Sequence, residues 1–333
     1  MSWFSDLIER IAGKDAIDFV VTPALPLGKN APASVALGAN QCYIELRVAS
    51  LRIPKSRRFT SNLYGVVHAF TTLSRNGAKD VQFASVSAPD RLAGIDPGNA
   101  YNAIMVDKVV MGPVAWRGGN LDVEMGLFSV VSSDLAGPFI GLITDLATTA
   151  GVSFVAAATP FVPIIKKGVE LLAGKVGDGS LEIGISRTIQ GPMTGVYAIV
   201  GVDRNGFDQN GLSVDPADFK LVRNGAAITQ APYLVYQISM SQQRADFGNI
   251  PELAQAFQDL LAKIRDGKED PARESLGVYR RLVLTSQDLI DDDATQLVAK
   301  ATQIVDRVFK GGPTGKETFE NLPASLAEIG LYQ

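Results

Sequence analysis

Apolar and polar positions alternate with a period of two through much of the first 240 residues, and this predicts strands. In Tyr43–Ile53, Ile44, Leu46 and Val48 alternate with Glu45 and Arg47. Past Ala49 and Ser50 the apolar parity moves to Leu51 and Ile53, the change a β-bulge produces. Leu63–Leu73 is apolar on both faces, with Val67 and Leu73 on one and Tyr64, Val66 and Phe70 on the other. A strand of that kind is central and covered on both sides. Val81, Phe83 and Ser85 open the next strand. Residues 103–111 and 112–117 read as a further pair of strands, separated by Gly112-Pro113. Leu121, Val123, Met125 and Leu127 alternate with Asp122 and Glu124, and Leu181, Ile183 and Ile185 with Glu182 and Ser186. Val196–Val202 and Tyr233–Met240 complete the series. Asn224-Gly225 between two short runs is a strong hairpin signal.

Helical spacing appears in three places. At the N-terminus Trp3, Phe4, Leu7, Ile8 and Ile11 share one face of a short amphipathic helix that Ser2 caps and Gly13 ends. In the middle, Leu135–Lys175 reads as two helices. Phe139, Ile143 and Leu146 mark the first; Ile165, Val169 and Leu172, starting near Pro163 and stopping at Gly174, mark the second. From Leu146 to Ile165 no residue is charged, which is the length of a bilayer span. Pro160, Pro163 and Gly151 interrupt it, so a buried helical insert between β segments is the preferred reading over a membrane segment. Near the C-terminus, Asn249 and Glu252 form a capping-box pattern ahead of Leu253, Phe257, Leu260, Leu261 and Ile264. A polar linker, RDGKEDPARE, follows, and residues 278–284 fit strand or helix equally. Asp291, Asp292 and Asp293 suit the dipole at the start of a last helix striped by Leu297, Ala301, Ile304, Val305 and Val308. A short helix is expected near Ala324–Ile329.

Strands in a long run and helices in separate blocks mean α+β rather than alternating α/β. The expected architecture is a mainly antiparallel β-sandwich-like body with a helical insert at 135–175 and a helical C-terminal region. The boundaries read as a helix at 1–14, a body at 15–245, helices at 246–312 and a tail at 313–333.

Composition narrows the chemistry. Of 333 residues, 46% are hydrophobic and 20% charged, the balance of a globular chain with a large core. A net charge of −4 opposes general nucleic-acid binding, which needs a basic face. The single cysteine, Cys42, allows no internal disulfide and suits a reducing cytoplasm. One cysteine with one histidine, His68, leaves most zinc sites without ligands. Acidic residues interrupt the N-terminal helix where a signal peptide would be apolar.

His68 shares its strand face with Tyr64, Val66 and Phe70, which makes it a core histidine before a catalytic one. Gly311–Thr318 falls one residue short of phosphate-loop spacing, carries Glu317 where Ser or Thr should stand, and follows a helix. It is not a phosphate loop. In 203–218, Asp203, Asn205, Asp208, Asn210 and Asp215 are the oxygen donors calcium takes, the first four being the first ligands to test, yet Phe207 occupies a ligand place and no glutamate closes the loop. A plain Asx-rich turn is preferred, and no metal or other cofactor is expected. Lys55, Arg57 and Arg58, beside Phe59, could touch an anionic surface but read first as a polar loop tip.

No catalytic constellation is visible, so the sequence leans away from an enzyme. The expected function is a non-enzymatic binding or assembly subunit that meets a protein partner or its own copies, with Trp3, Phe4, Leu7, Ile8 and Ile11 as a contact face. The alternatives are a peripheral or inserting membrane protein that uses 135–175, and an enzyme with a dispersed carboxylate site.

Overall fold

The computed structural model describes residues 19–28, 34–54, 57–58, 61–75, 80–86, 104–131, 163, 180–202, 207–310 and 321–332. The fold is α+β, with antiparallel sheets and helices toward the C-terminus. The strands are β1 (Phe19–Val21), β2 (Tyr43–Arg52), β3 (Arg57–Arg58), β4 (Ser61–Ser74), β5 (Val81–Val86), β6 (Ile104–Ala115) and β7 (Asn120–Val131). They continue as β8 (Ser180–Gln190), β9 (Gly195–Gly201), β10 (Leu212–Val214), β11 (Leu221–Arg223), β12 (Ala226–Ala227) and β13 (Tyr233–Ser241). One sheet has the order β1-β9-β13-β2-β6. A second runs β3-β4-β7-β8, with β5 also on β4. A small third sheet is β10-β11-β12.

The two-faced apolar run does form a central strand. β4 lies between β5 and β7, with His68 opposite Val86 on one side and Gly126 on the other. His68, Phe70, Ala69 and Thr71 are all buried, as a strand covered on both faces requires. The imidazole lies over Gly126: a Cβ there would come 2.2 Å from His68 Cε1. Only glycine leaves room for the ring at this strand crossing. Asn224-Gly225 turns β11 into β12 with φ of 50° and 82°, as a two-residue primed hairpin needs. The third sheet packs on the first through Leu212, Val214 and Leu221 against Val196, Val200 and Val235.

Three local expectations are corrected. Gly112-Pro113 does not divide the segment; β6 runs through it as a single strand with a cis Gly112-Pro113 bond. Residues 278–284 are helix, the second half of a helix, Glu269–Thr285, that starts inside the stretch that reads as a linker. Asn249 does not cap; it ends a 3-10 turn, Phe247–Asn249, and the following helix begins on Pro251 at its first position. A proline there costs no hydrogen bond, since that N–H has no partner in any helix. From Val48 to Arg52 every residue of β2 is buried, so alternation does not mark its faces there.

The insert at 135–175, apart from Pro163, lies outside the described residues, as do the N-terminal helix and residues 313–320 of the tail. The frame of the insert is described. β7 and β8 are antiparallel neighbours, and Ser129 near the end of one faces Ser180 at the start of the other.

The chain forms two compact units. One comprises 1–37, 44–113 and 117–240; the other comprises 38–43, 114–116 and 241–333. The second unit holds α1 (Pro251–Arg265), α2 (Glu269–Thr285) and α3 (Asp291–Lys310). α1 buries Leu253, Phe257, Leu260, Leu261 and Ile264, the stripe its spacing predicts. α2 buries Ala272, Tyr279 and Val283, and α3 buries Leu297, Ala301 and Val305. Phe257 and Tyr279 meet between α1 and α2 with ring centroids 5.6 Å apart. The tail contributes a 3-10 turn, Leu326–Ile329, with Leu326 buried.

Candidate functional site

The densest polar cluster among the described residues lies inside the second unit, around the loop between α2 and α3. Arg244 is fully buried there. Its Nε donates to Asp246 Oδ1 at 2.8 Å, and its Nη1 donates to the Asp288 carbonyl at 3.0 Å and to Asp288 Oδ1 at 3.4 Å. Beside it the first turn of α3 offers Asp293. Tyr43 and Tyr332 both donate to Asp293 Oδ2 at 2.5 Å. The two phenols accept in turn: Ile290 N–H reaches Tyr43 Oη at 3.2 Å, and Arg244 N–H reaches Tyr332 Oη at 2.7 Å. The guanidinium carbon lies 6.0 Å from the centre of the Tyr43 ring.

Each partner has a local reason to be where it is. Tyr43 opens β2, and its ring packs with Ala115 and Ile290. Asn40 and Trp116 N–H groups bond to the carbonyls of Trp116 and Cys42, at 2.6 and 2.9 Å, which fixes the entry of β2 against the end of β6. Tyr332 is held edge-on to Phe247, with centroids 6.2 Å apart. Burial raises the pKa of Tyr43 far above that of a free phenol, and its hydrogen bond to Asp293 raises it further. Burial also raises Tyr332. Both phenols therefore stay protonated and act as donors. These bonds tie the loop between α2 and α3 to Tyr43 at the start of β2 and to Tyr332 near the end of the described residues. The cluster has the geometry of a structural polar core.

A cavity of about 460 Å³ lies elsewhere on the same unit, between α3 and the tail. Lys300, Gln303, Ile304 and Arg307 line it from the helix, and Asn321, Leu322, Pro323, Glu328 and Ile329 from the tail. Its edge is already pinned: Lys300 Nζ donates to the Gly330 carbonyl, and Glu328 Oε2 accepts the Ala324 N–H at 2.7 Å. Gln258 of α1 donates to the Ala324 carbonyl at 2.7 Å. None of the six polar-core residues lines this cavity.

The outer side of α2 has a different character. Val278 is 51% exposed and Leu284 50%. Gly277, in the middle of the helix, has nothing within 4 Å of where its Cβ would be.

The residues nominated from sequence fare unevenly. Trp3, Phe4, Leu7, Ile8, Ile11, Lys55, Asp203 and Asn205 lie outside the described residues. Arg57 and Arg58 form β3, which turns back onto Asn62 and Ser61 of β4 as a hairpin tip. Asp208 Oδ1 accepts the Asn210 N–H at 2.9 Å, and Asp215 Oδ1 accepts the Ala217 N–H at 2.9 Å, both Asx turns. Among the described residues no group of three or more His, Cys, Asp or Glu side chains is disposed to hold a metal. His68 is buried, and burial lowers its pKa to about 3. The imidazole is thus neutral near pH 7. Among the described residues no helix is long and apolar enough to cross a membrane.

Sequence reasoning misses the polar core. Tyr43 and Asp293 are 250 positions apart, and Arg244 and Tyr332 are 88 apart. Asp293 is one of three acids that fit a helix start equally well, and only its burial separates it from Asp291 and Asp292. The one local signal is an arginine in a short polar loop straight after the last strand. No protein-family model, no curated protein and no solved structure matches the chain.

Proposed function

We propose that this protein is a non-enzymatic assembly subunit that works through protein–protein contacts. One contrast supports the reading. The helical unit spends its concentrated polar chemistry inside, on the sealed Arg244–Asp288 and Asp293–Tyr43–Tyr332 bonds, while α2 turns Val278 and Leu284 to the outside. A protein partner that covered Val278 and Leu284 would take their apolar surface out of water. The face formed by Trp3, Phe4, Leu7, Ile8 and Ile11 belongs to the same proposal as a second contact. The proposal also assigns the work to the cytoplasm; Cys42, which is buried and forms no disulfide, is in keeping with a reducing compartment.

The test is the native mass of the full-length chain purified gently from its host and measured by light scattering. A mass above the 35.4 kDa of one chain, from copies or from a stoichiometric partner, is expected. A 35.4 kDa particle that carries nothing with it would overturn the proposal and favour an enzyme with dispersed carboxylates.

A further inference from the structure

The outer face of α2 carries enough detail to say what it fits. At about 100° per residue, Asp270, Glu274, Gly277, Val278, Arg281 and Leu284 fall within roughly 120° of the helix circumference. Tyr279, Val283 and Ala272 point the opposite way and are buried. Every one of the six is exposed. Three features of this face have no use among the described residues. Gly277 costs the helix about 1 kcal/mol against alanine, and no neighbour needs the space it leaves. Val278 stands beside that gap, 51% exposed. Glu274 and Arg281 make no ion pair among the described residues, although Arg273 on the same helix pairs with both Glu269 and Asp306.

These features complement one another about a single point. A two-fold axis between Gly277 and Val278, with the helices antiparallel, brings each position i opposite position 555 − i of the other copy. Val278 then fills the gap over the partner's Gly277, and Glu274 meets the partner's Arg281. Each contact occurs twice, as a closed two-fold interface requires. The missing Cβ lets the axes approach toward the short end of the usual 8–10 Å. A parallel pair would set Glu274 against Glu274 and Arg281 against Arg281, which like charges oppose. We infer that the exposed face of α2 is a self-association surface, on which two copies of this chain pair through antiparallel α2 helices crossing at Gly277. The inference rests on the assembly reading and names the partner as a second copy. One helix crossing is small beside a standard interface of about 1,600 Å², so the dimer belongs in the micromolar range.

The test is sedimentation equilibrium of the full chain up to about 100 µM, with circular dichroism as a check on folding. Wild type should approach twice 35.4 kDa. Glu274→Arg alone and Arg281→Glu alone should each be monomeric, because each puts four like charges at the crossing. Mixed one to one, the two variants should recover the dimer, since arginines at 274 and 281 of one face glutamates at 281 and 274 of the other. Gly277→Trp should be monomeric with an undiminished melting temperature, since the site is open. A dimer that survives all three substitutions would overturn the α2 surface while leaving the assembly reading standing on another face. Failure of the mixture to pair would overturn the antiparallel geometry. A monomeric wild type at the highest concentration would overturn the inference outright, and the assembly reading would then be decided by whether a different protein accounts for the native mass.

Discussion

His68 is the clearest residue-level reading. Its place on an apolar strand face is visible from parity alone, and the structure buries it. What makes room for it is not visible. Gly126 lies 58 positions on, and nothing in a sequence says which residue of a neighbouring strand sits opposite. Register is decided by the whole sheet. The burial has a consequence for stability. The folded imidazole has a pKa of about 3, against 6.5 when free. Between those values the unfolded chain binds a proton that the native state refuses. Stability from this group is therefore complete above pH 6.5 and falls as pH drops through the window toward 3, by about 1.4 kcal/mol per pH unit. Since the chain has one histidine, the native imidazole Cε1–H resonance can be followed alone. It should not titrate between pH 8 and 5. Urea melts should show about 2 kcal/mol more loss from pH 6.5 to 5 in wild type than in His68→Leu. A native resonance that titrates near 6.5 would show that the imidazole meets water.

At the scale of elements, periodicity finds most helices and strands and fails at their ends. The stripe of α1 is legible from Leu253 to Ile264, yet the capping pattern points to Asn249 where the structure starts the helix on Pro251. α2 escapes notice because its first turns are polar and contain Pro271, so they look like a linker until Tyr279 and Val283 are known to be buried. The loop from α2 to α3 is not legible, because its order comes from Arg244 far upstream. Arg244 Nη1 holds the Asp288 carbonyl, and Arg244 Nε holds Asp246. Removing one side of a buried charged pair leaves the other without compensation, at a cost of about 3–5 kcal/mol. Arg244→Met should lower stability by that amount in urea melts followed by helical circular dichroism. The double variant Arg244→Met with Asp288→Leu should recover some of it, since no lone carboxylate then remains at Asp288. A single variant within about 1 kcal/mol of wild type would mean that water, not protein, satisfies the guanidinium.

At the scale of the whole molecule, the sequence divides the chain near residue 245, with strands before and helices after. The compact units do not respect that single cut. The helical unit also takes residues 38–43 and 114–116. The reason is chemical. Tyr43 supplies Asp293 with one of its two phenol donors and accepts the Ile290 N–H, and its ring is fully buried with Ala115 and Ile290. No periodicity could assign a residue at the start of a strand to a helical unit 250 positions away. Residues 241–333 are therefore expected to be less stable alone than in the full chain, although they contain the three α-helices of the described residues. Without Tyr43, Asp293 keeps Tyr332 as its one side-chain donor among the described residues, and the Ile290 N–H loses its acceptor, a cost of about 1–3 kcal/mol for each buried polar group left unmet. Loss of the buried ring adds about 1.5–3 kcal/mol of apolar burial. Domains of this size are stable by about 5–15 kcal/mol in all. The full chain should thus unfold its helices at the highest urea concentration, full-length Tyr43→Phe lower, and the 241–333 fragment lowest, with a broad transition. Tyr43→Phe removes only the hydroxyl, so it separates the hydrogen bonds from the packing that the fragment also lacks. A fragment that unfolds cooperatively at the full-length midpoint would show that the helices need neither, and that the cut near 245 is the true boundary.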